Sequence, residues 1–230
     1  MTRILFVLTS HNQLGDTGLA TGFWLEEFAT PYYVFKDAGA EITLASPKGG
    51  QPPVDPKSED PSAQTEATRR FRVDSAAIGE LATTTKLDSI SAEEFDAVFY
   101  PGGHGPLWDL VDNDASIRLI EDFWQSNKPV SAVCHAPIAL VNAKDKSGVH
   151  IVKGREVTGF TNSEEEAVGL TDIVPILVEE MMILRSAKYS KGGDWESYAC
   201  QDGNLITGQN PSSSEAVAKL VLASLKQNES

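Results

Sequence analysis

Residues 130–137 run Val130-Ser131-Ala132-Val133-Cys134-His135-Ala136-Pro137, and this stretch decides the fold. A short apolar run with the length of a buried strand ends in a cysteine. A histidine follows at once, and then a helix-compatible run, Ile138 to Ala143. A strand that turns sharply into a helix at a nucleophile pushes that side chain out of the sheet, and the helix N-terminus favours negative charge beside it. The spacing therefore predicts an exposed nucleophilic Cys134 with a lowered thiol pKa. The plain structural alternative is a small buried hydrophobe.

Working outward, strand and helix patterns alternate. Ile4 to Leu8 and Ala97 to Tyr100 are continuous apolar runs and read as buried parallel strands; Glu41 to Ala45 reads as a further strand. Phe23 to Ala38 has helical periodicity interrupted by Pro31, and Ala115 to Ser126 is strongly amphipathic. His150 to Thr158 reads as a hairpin around Lys153-Gly154. Asn162 to Gly169 and Ile176 to Ala187 read as helices. Gln201-Asp202-Gly203-Asn204 reads as a hairpin turn, and Ser212 to Lys226 as a capped terminal helix. This is the pattern of a single α/β domain over residues 1–230, a three-layer sandwich around a mostly parallel central sheet. Residues 46–91 are too long for an ordinary βα connection and are expected to form a small cap over the site.

Composition narrows the function. The 230 residues carry a net charge of -14, which argues against nucleic acid and against an anionic membrane surface as partners. There are two cysteines, no CxxC pair and no zinc-type spacing, so no zinc site of that kind is expected. A free thiol at Cys134 fits a reducing compartment, and no signal-like or membrane-length apolar run is seen, so the expected location is the cytoplasm.

Other residues are candidates for chemistry. His135 is a base adjacent to the nucleophile, or a polar residue at a helix start. A catalytic histidine needs a group to orient it. Glu164, Glu165 and Glu166 are candidates, although composition alone makes at least two of them a solvated first turn capped by Asn162 or Ser163. Pro101-Gly102-Gly103-His104-Gly105 follows a strand, where open α/β sheets bind ligands. Its N–H groups, with that of His135, are candidates for an oxyanion hole. Glu26 and Glu27 open the first helix. One of them can hydrogen-bond the sulfur if burial raises its pKa, and at least one should be exposed.

Five separated blocks now add a resemblance: TGFWLEEFATPY (21–32), YPGGHG (100–105), AVCHAP (132–137), GFTNSEEE (159–166) and LITGQNPSSS (205–214). In order and spacing they resemble the PfpI superfamily, of class I glutamine amidotransferase-like fold, and within it the heat-shock-chaperone and glyoxalase III branch. The resemblance implies a flavodoxin-like α/β sandwich with a small cap, commonly a homodimer. It implies Cys134 as nucleophile, His135 as base, Glu165 as orienting acid and Glu27 as the carboxyl touching the thiol. Gly103 and His135 would supply the oxyanion N–H groups, with His104 and Trp24 beside the substrate. Ala136 departs from the glycine that many members carry. The implied activity is a cofactor-free, glutathione-independent conversion of methylglyoxal-type 2-oxoaldehydes to 2-hydroxy acids. The alternatives are a holdase binding unfolded client proteins, a cysteine peptidase or amidase, and a protein deglycase. An amidotransferase is disfavoured, because the only histidine after His135 is His150, in the expected hairpin.

Overall fold

The computed structural model describes residues 1–228. Strands β1 (Arg3–Val7), β2 (Glu41–Ser46), β3 (Thr85–Lys86), β4 (Ala97–Tyr100) and β5 (Val130–Val133) are joined by β8 (Ala199–Asp202) and β9 (Leu205–Gly208) in one seven-stranded sheet, order β3-β2-β1-β4-β5-β9-β8. Every pairing is parallel except the β8–β9 hairpin at one edge. Strands β6 (Glu156–Val157) and β7 (Lys188–Tyr189) form a separate parallel pair. This is the α/β sandwich expected from the alternation, and it is flavodoxin-like, as the resemblance implies.

The continuous apolar strands are buried on both faces. Ile4, Phe6 and Phe99 point into one layer, against α1 (Leu25–Asp37) and α8 (Ser214–Asn228). Leu5, Val7, Val98 and Tyr100 point into the other, against Leu119, Ile120 and Phe123 of α5 (Asp114–Gln125). The remaining helices are α2 (Glu66–Val73), α3 (Ser75–Ala82), α4 (Pro106–Asp109), α6 (Asn162–Ala167) and α7 (Val178–Leu184). The chain leaves β1 toward β2 on one side, while β4 pairs on the other. The strand order therefore reverses between β1 and β4, and a crevice opens at their C-terminal ends.

Four local expectations are corrected. Helix α1 runs unbroken through Pro31, which removes only the N–H toward the Glu27 carbonyl; packing on the sheet and α8 holds the rest. No hairpin forms over 150–158: Gly154 N–H bonds to Ser186 O, and β6 pairs with β7 instead of folding back. Thr161, rather than Asn162 or Ser163, caps α6 through a capping box with Glu164. After Cys134 the chain forms only a five-residue 3-10 turn, Ala136–Leu140, not an α-helix.

Residues 46–91 divide into two parts. Pro53 to Lys57 lie beside the crevice, tied to it by Phe23 N–H to Pro53 O and Asp55 N–H to Phe23 O, both 2.9 Å. Helix α2 lies over α1, where Phe71 meets the Phe28 ring edge-on, and β3 extends the sheet past β2.

Candidate active site

Cys134 follows β5 with φ at +63°, a left-handed conformation that costs a non-glycine residue about 1–2 kcal/mol. Two hydrogen bonds clamp it there. Its N–H donates to Gly208 O at 2.9 Å, and its carbonyl accepts from Phe160 N–H at 2.8 Å. The strained turn lifts the side chain off the sheet and sets His135 beside it, with Sγ 3.3 Å from His135 Nδ1.

On the far edge of that ring, His135 Nε2 lies 2.6 Å from Glu165 Oε2. The second oxygen, Oε1, lies 2.8 Å from His104 Nε2. An ionised carboxylate only accepts, so both Nε2 atoms carry protons and both Nδ1 atoms are acceptors. His135 Nδ1 is thereby the acceptor for the thiol proton. The His135 ring is packed against His104 (centroids 4.0 Å) and Phe160 (4.2 Å), with Trp195 edge-on to Phe160.

Burial opposes the charge on Glu165, but the positive charge that His135 carries when protonated and the hydrogen bonds from both histidines reverse that. They hold the carboxyl far below its ordinary range. Burial and the neighbouring His104 push His135 down, against the pull of Glu165. Imidazole is therefore the resting form.

Glu27 is fully buried in α1, and burial pushes its pKa well up. Its Oε2 accepts the Gly102 N–H at 2.7 Å, and its carboxyl interacts with the Cys134 thiol. A neutral carboxyl there can donate to the sulfur. The lowered thiol pKa expected from the sequence is not found. Burial, then Glu27, pushes Cys134 well up, with the Gly103 N–H partly opposing. The sulfur residue is 3% exposed and no α-helix begins behind it, so the expected source of stabilisation is missing. The thiol and Glu27 share one negative charge at most, and a protonated Glu27 removes the repulsion that raises the thiol.

The glycines of 102–105 are required by close approach. A Cβ at Gly102 would overlap Glu27 Oε2 and meet Val133 O at 2.5 Å. One at Gly103, where φ is +96°, would overlap Gly22 O and meet Trp24 N at 2.6 Å. Trp24 N–H in turn donates to Gly102 O at 3.0 Å. A mainly apolar cavity of about 200 Å³ opens beside His104 and Trp24, walled by Leu14, Leu19, Val168 and Leu170, with Asp55 and Lys57 also lining it. Cys134 is not part of its wall.

Of the three consecutive glutamates, two are buried, against the expectation that at least two would be solvated. Glu164 faces away from the histidines. Its Oε1 accepts from Trp195 N–H, Gln209 Nε2 and Asn210 Nδ2, and its Oε2 from Thr161. Glu26 is half-buried rather than exposed, bonded to Thr30 and Thr65. His104's place on Glu165 and the Glu164 network were not read from the sequence. The GGHG turn named His104, but its partner stands 61 residues away.

The donor atoms of His104, His135 and Glu165 lie within 4.8 Å of one another, close enough to bear on one cation. They already satisfy one another, so an ion would have to displace both imidazole protons. No helix among the described residues is long and apolar enough to cross a membrane.

The chain is similar to glyoxalase 3 of Candida albicans, at 29% identity over 99% of this chain and all of that protein. It is similar to the glutathione-independent glyoxalase HSP31 of Saccharomyces cerevisiae, at 28% identity over 97% and 98%. Among solved structures, it is similar to the rapid encystment protein of 24 kDa from Francisella tularensis, with a TM-score of 0.94 and 37% identity over 98% and 99% of the two chains. Crystalline glyoxalase III of Candida albicans matches with a TM-score of 0.90 and 29% identity over 97% of each chain. The DJ-1/PfpI family model matches residues 18–224, so this chain belongs to the DJ-1/PfpI family.

Proposed function

We propose that the chain is a glutathione-independent glyoxalase that converts 2-oxoaldehydes such as methylglyoxal to 2-hydroxy acids such as lactate. One observation carries the reading. The Cys134–His135–Glu165 line, with Glu27 and the Gly103 N–H around the sulfur, occurs in a chain whose full-length relatives are named glutathione-independent glyoxalases.

His135 Nδ1 accepts the thiol proton, and Glu165 steadies the imidazolium that forms. The thiolate adds to the aldehyde carbon, and the N–H groups of Gly103 and His135 receive the developing oxyanion. Protonation of that oxygen gives a hemithioacetal. Movement of its C1 proton to C2 gives a thioester, and water activated by His135 releases the hydroxy acid and the thiol. Glu27, kept neutral by burial, hydrogen-bonds the sulfur. Trp24 and His104 flank the substrate at the cavity. No electrons enter or leave the overall reaction, so the residues named suffice without a redox partner.

The resemblance supports a homodimer, and the free thiols support the cytoplasm. Exposed Ile183 and Leu184, beside an open groove of about 480 Å³ lined by Val174, Pro175, Ile176 and Met181, favour either a subunit contact or client binding as a second activity.

The test is lactate formation from methylglyoxal without glutathione, with wild type and Cys134→Ala compared. Lactate from the wild type that disappears in the variant supports both the reaction and the nucleophile. No lactate from folded wild type overturns the reading.

A further inference from the structure

We propose that His104 is a second general base of the site, and that it carries the proton between the two substrate carbons. The inference rests on the glyoxalase reading above and adds a residue to it. His104 and His135 each donate an Nε2–H to a different oxygen of one ionised carboxylate, Glu165. The arrangement is two histidine–carboxylate dyads that share their acid. In one, the free Nδ1 faces the thiol at 3.3 Å. In the other, Nδ1 of His104 has no hydrogen-bond partner among the described residues, and the ring forms part of the wall of the 200 Å³ cavity beside Trp24.

An imidazole held in its Nε2–H tautomer by a carboxylate, with Nδ1 left unpaired and the ring in a cavity wall, is the arrangement that a general base requires. His135 is less suited to the carbon proton, because its Nδ1 is already committed to the thiol proton and its ring is packed against His104 and Phe160. His104 lies against that ring, with centroids 4.0 Å apart, next to the histidine that contacts the sulfur. The apolar cavity takes the group attached to the ketone carbon.

The proton count closes. His104 Nδ1 takes the C1 proton of the hemithioacetal, and the C1–H electron pair forms the C1=C2 bond while the C2 carbonyl pair moves to its oxygen. The C1 hydroxyl proton passes to that oxygen. His104 returns its proton to C2, and the C1 oxygen re-forms a carbonyl as the thioester. Glu165 offsets the imidazolium charge in the interval, and no oxidant or reductant takes part.

The experiment is His104→Gln in the full chain, with two readouts: hydroxy-acid formation from methylglyoxal, and the rate at which iodoacetamide alkylates Cys134. The second reports the thiol–His135 pair without needing turnover. The expected result is a fall in kcat of roughly a hundredfold or more, with the alkylation rate within about threefold of wild type. Equal losses in both readouts would overturn the assignment, because His104 would then act only by holding Glu165 and His135 or the fold. Turnover within about threefold of wild type would also overturn it. No hydroxy acid from a wild type whose Cys134 alkylates normally would overturn the glyoxalase reading, and this assignment with it.

Discussion

Glu165 Oε2 lies 2.6 Å from His135 Nε2, although the two residues are 30 positions apart, and this contact fixes which nitrogen of His135 faces the thiol. Glu165→Gln breaks it in a defined way. The amide has one acceptor oxygen for two imidazole N–H groups, so its NH2 opposes an N–H and one ring must turn over or change tautomer. We expect turnover to fall by roughly 10²- to 10⁴-fold, with Cys134 alkylation slowed as well because the thiol loses its base. Steady-state kinetics and iodoacetamide labelling check this; unchanged labelling would show that Glu165 does not set the His135 tautomer.

The neighbouring glutamates separate structure from chemistry. Glu164→Ala removes the acceptor for Trp195 N–H, Gln209, Asn210 and Thr161, leaving several buried donors unpaired. A loss of about 3 kcal/mol or more in unfolding free energy is expected, since each orphaned buried group costs about 1–3 kcal/mol. Glu166→Ala, at an exposed position, should stay within about 0.5 kcal/mol of wild type in the same urea titration. Equal effects of the two changes would refute the division of labour.

The same three residues show what the sequence can and cannot disclose. The elbow at Cys134 is legible, because a strand-length apolar run gives way there to a helix-compatible run and the chain has to turn between them. The parallel sheet is legible from its two-sided apolar strands. The acid's identity came only through resemblance, since three identical residues in a row differ solely in direction. Thr161 sets that direction by capping α6, turning Glu164 toward β9 and Glu165 toward the histidines. The thiol's raised pKa is not legible, because the helix-compatible run after Pro137 forms only a 3-10 turn, and because the burial around Cys134 comes from segments distant in sequence. His104 was placed near substrate, but its bond to Glu165 joins two loops that no local pattern relates.

Gly103 and Gly50 both hold positive φ, +96° and +73°, but only Gly103 is crowded. Gly50→Ala carries backbone strain alone, about 1–2 kcal/mol, because nothing lies within 4 Å of its Cβ. Gly103→Ala adds overlap with the Gly22 carbonyl and Trp24, about 1–3 kcal/mol more, and pushes the 102–104 turn away from the sulfur. Thermal and urea unfolding should rank the two variants in that order, and only Gly103→Ala should lose activity. A fully active Gly103→Ala would remove the Gly103 N–H from the oxyanion role.

Glu27 makes stability depend on pH in a direction that can be worked out. Burial raises its folded pKa well above the ordinary value of 4.5, whereas the unfolded carboxyl keeps that value. Below 4.5 both states hold the proton and Glu27 exerts no penalty. Above it, folding must take up a proton that the unfolded chain has released, so the favourable contribution is progressively lost as pH rises toward the folded pKa. Glu27→Gln keeps the shape and an oxygen for the Gly102 N–H, but it has no proton to take up. The stability of the variant relative to wild type should therefore increase from pH 5 to pH 8, whatever its absolute level. The slopes contributed by His135 and Cys134 are shared by the two proteins to first order and largely cancel in that difference. Urea midpoints for both proteins at the two pH values measure it. A difference that stays constant would mean that Glu27 is ionised in the folded protein, and then it cannot donate a hydrogen bond to the Cys134 sulfur.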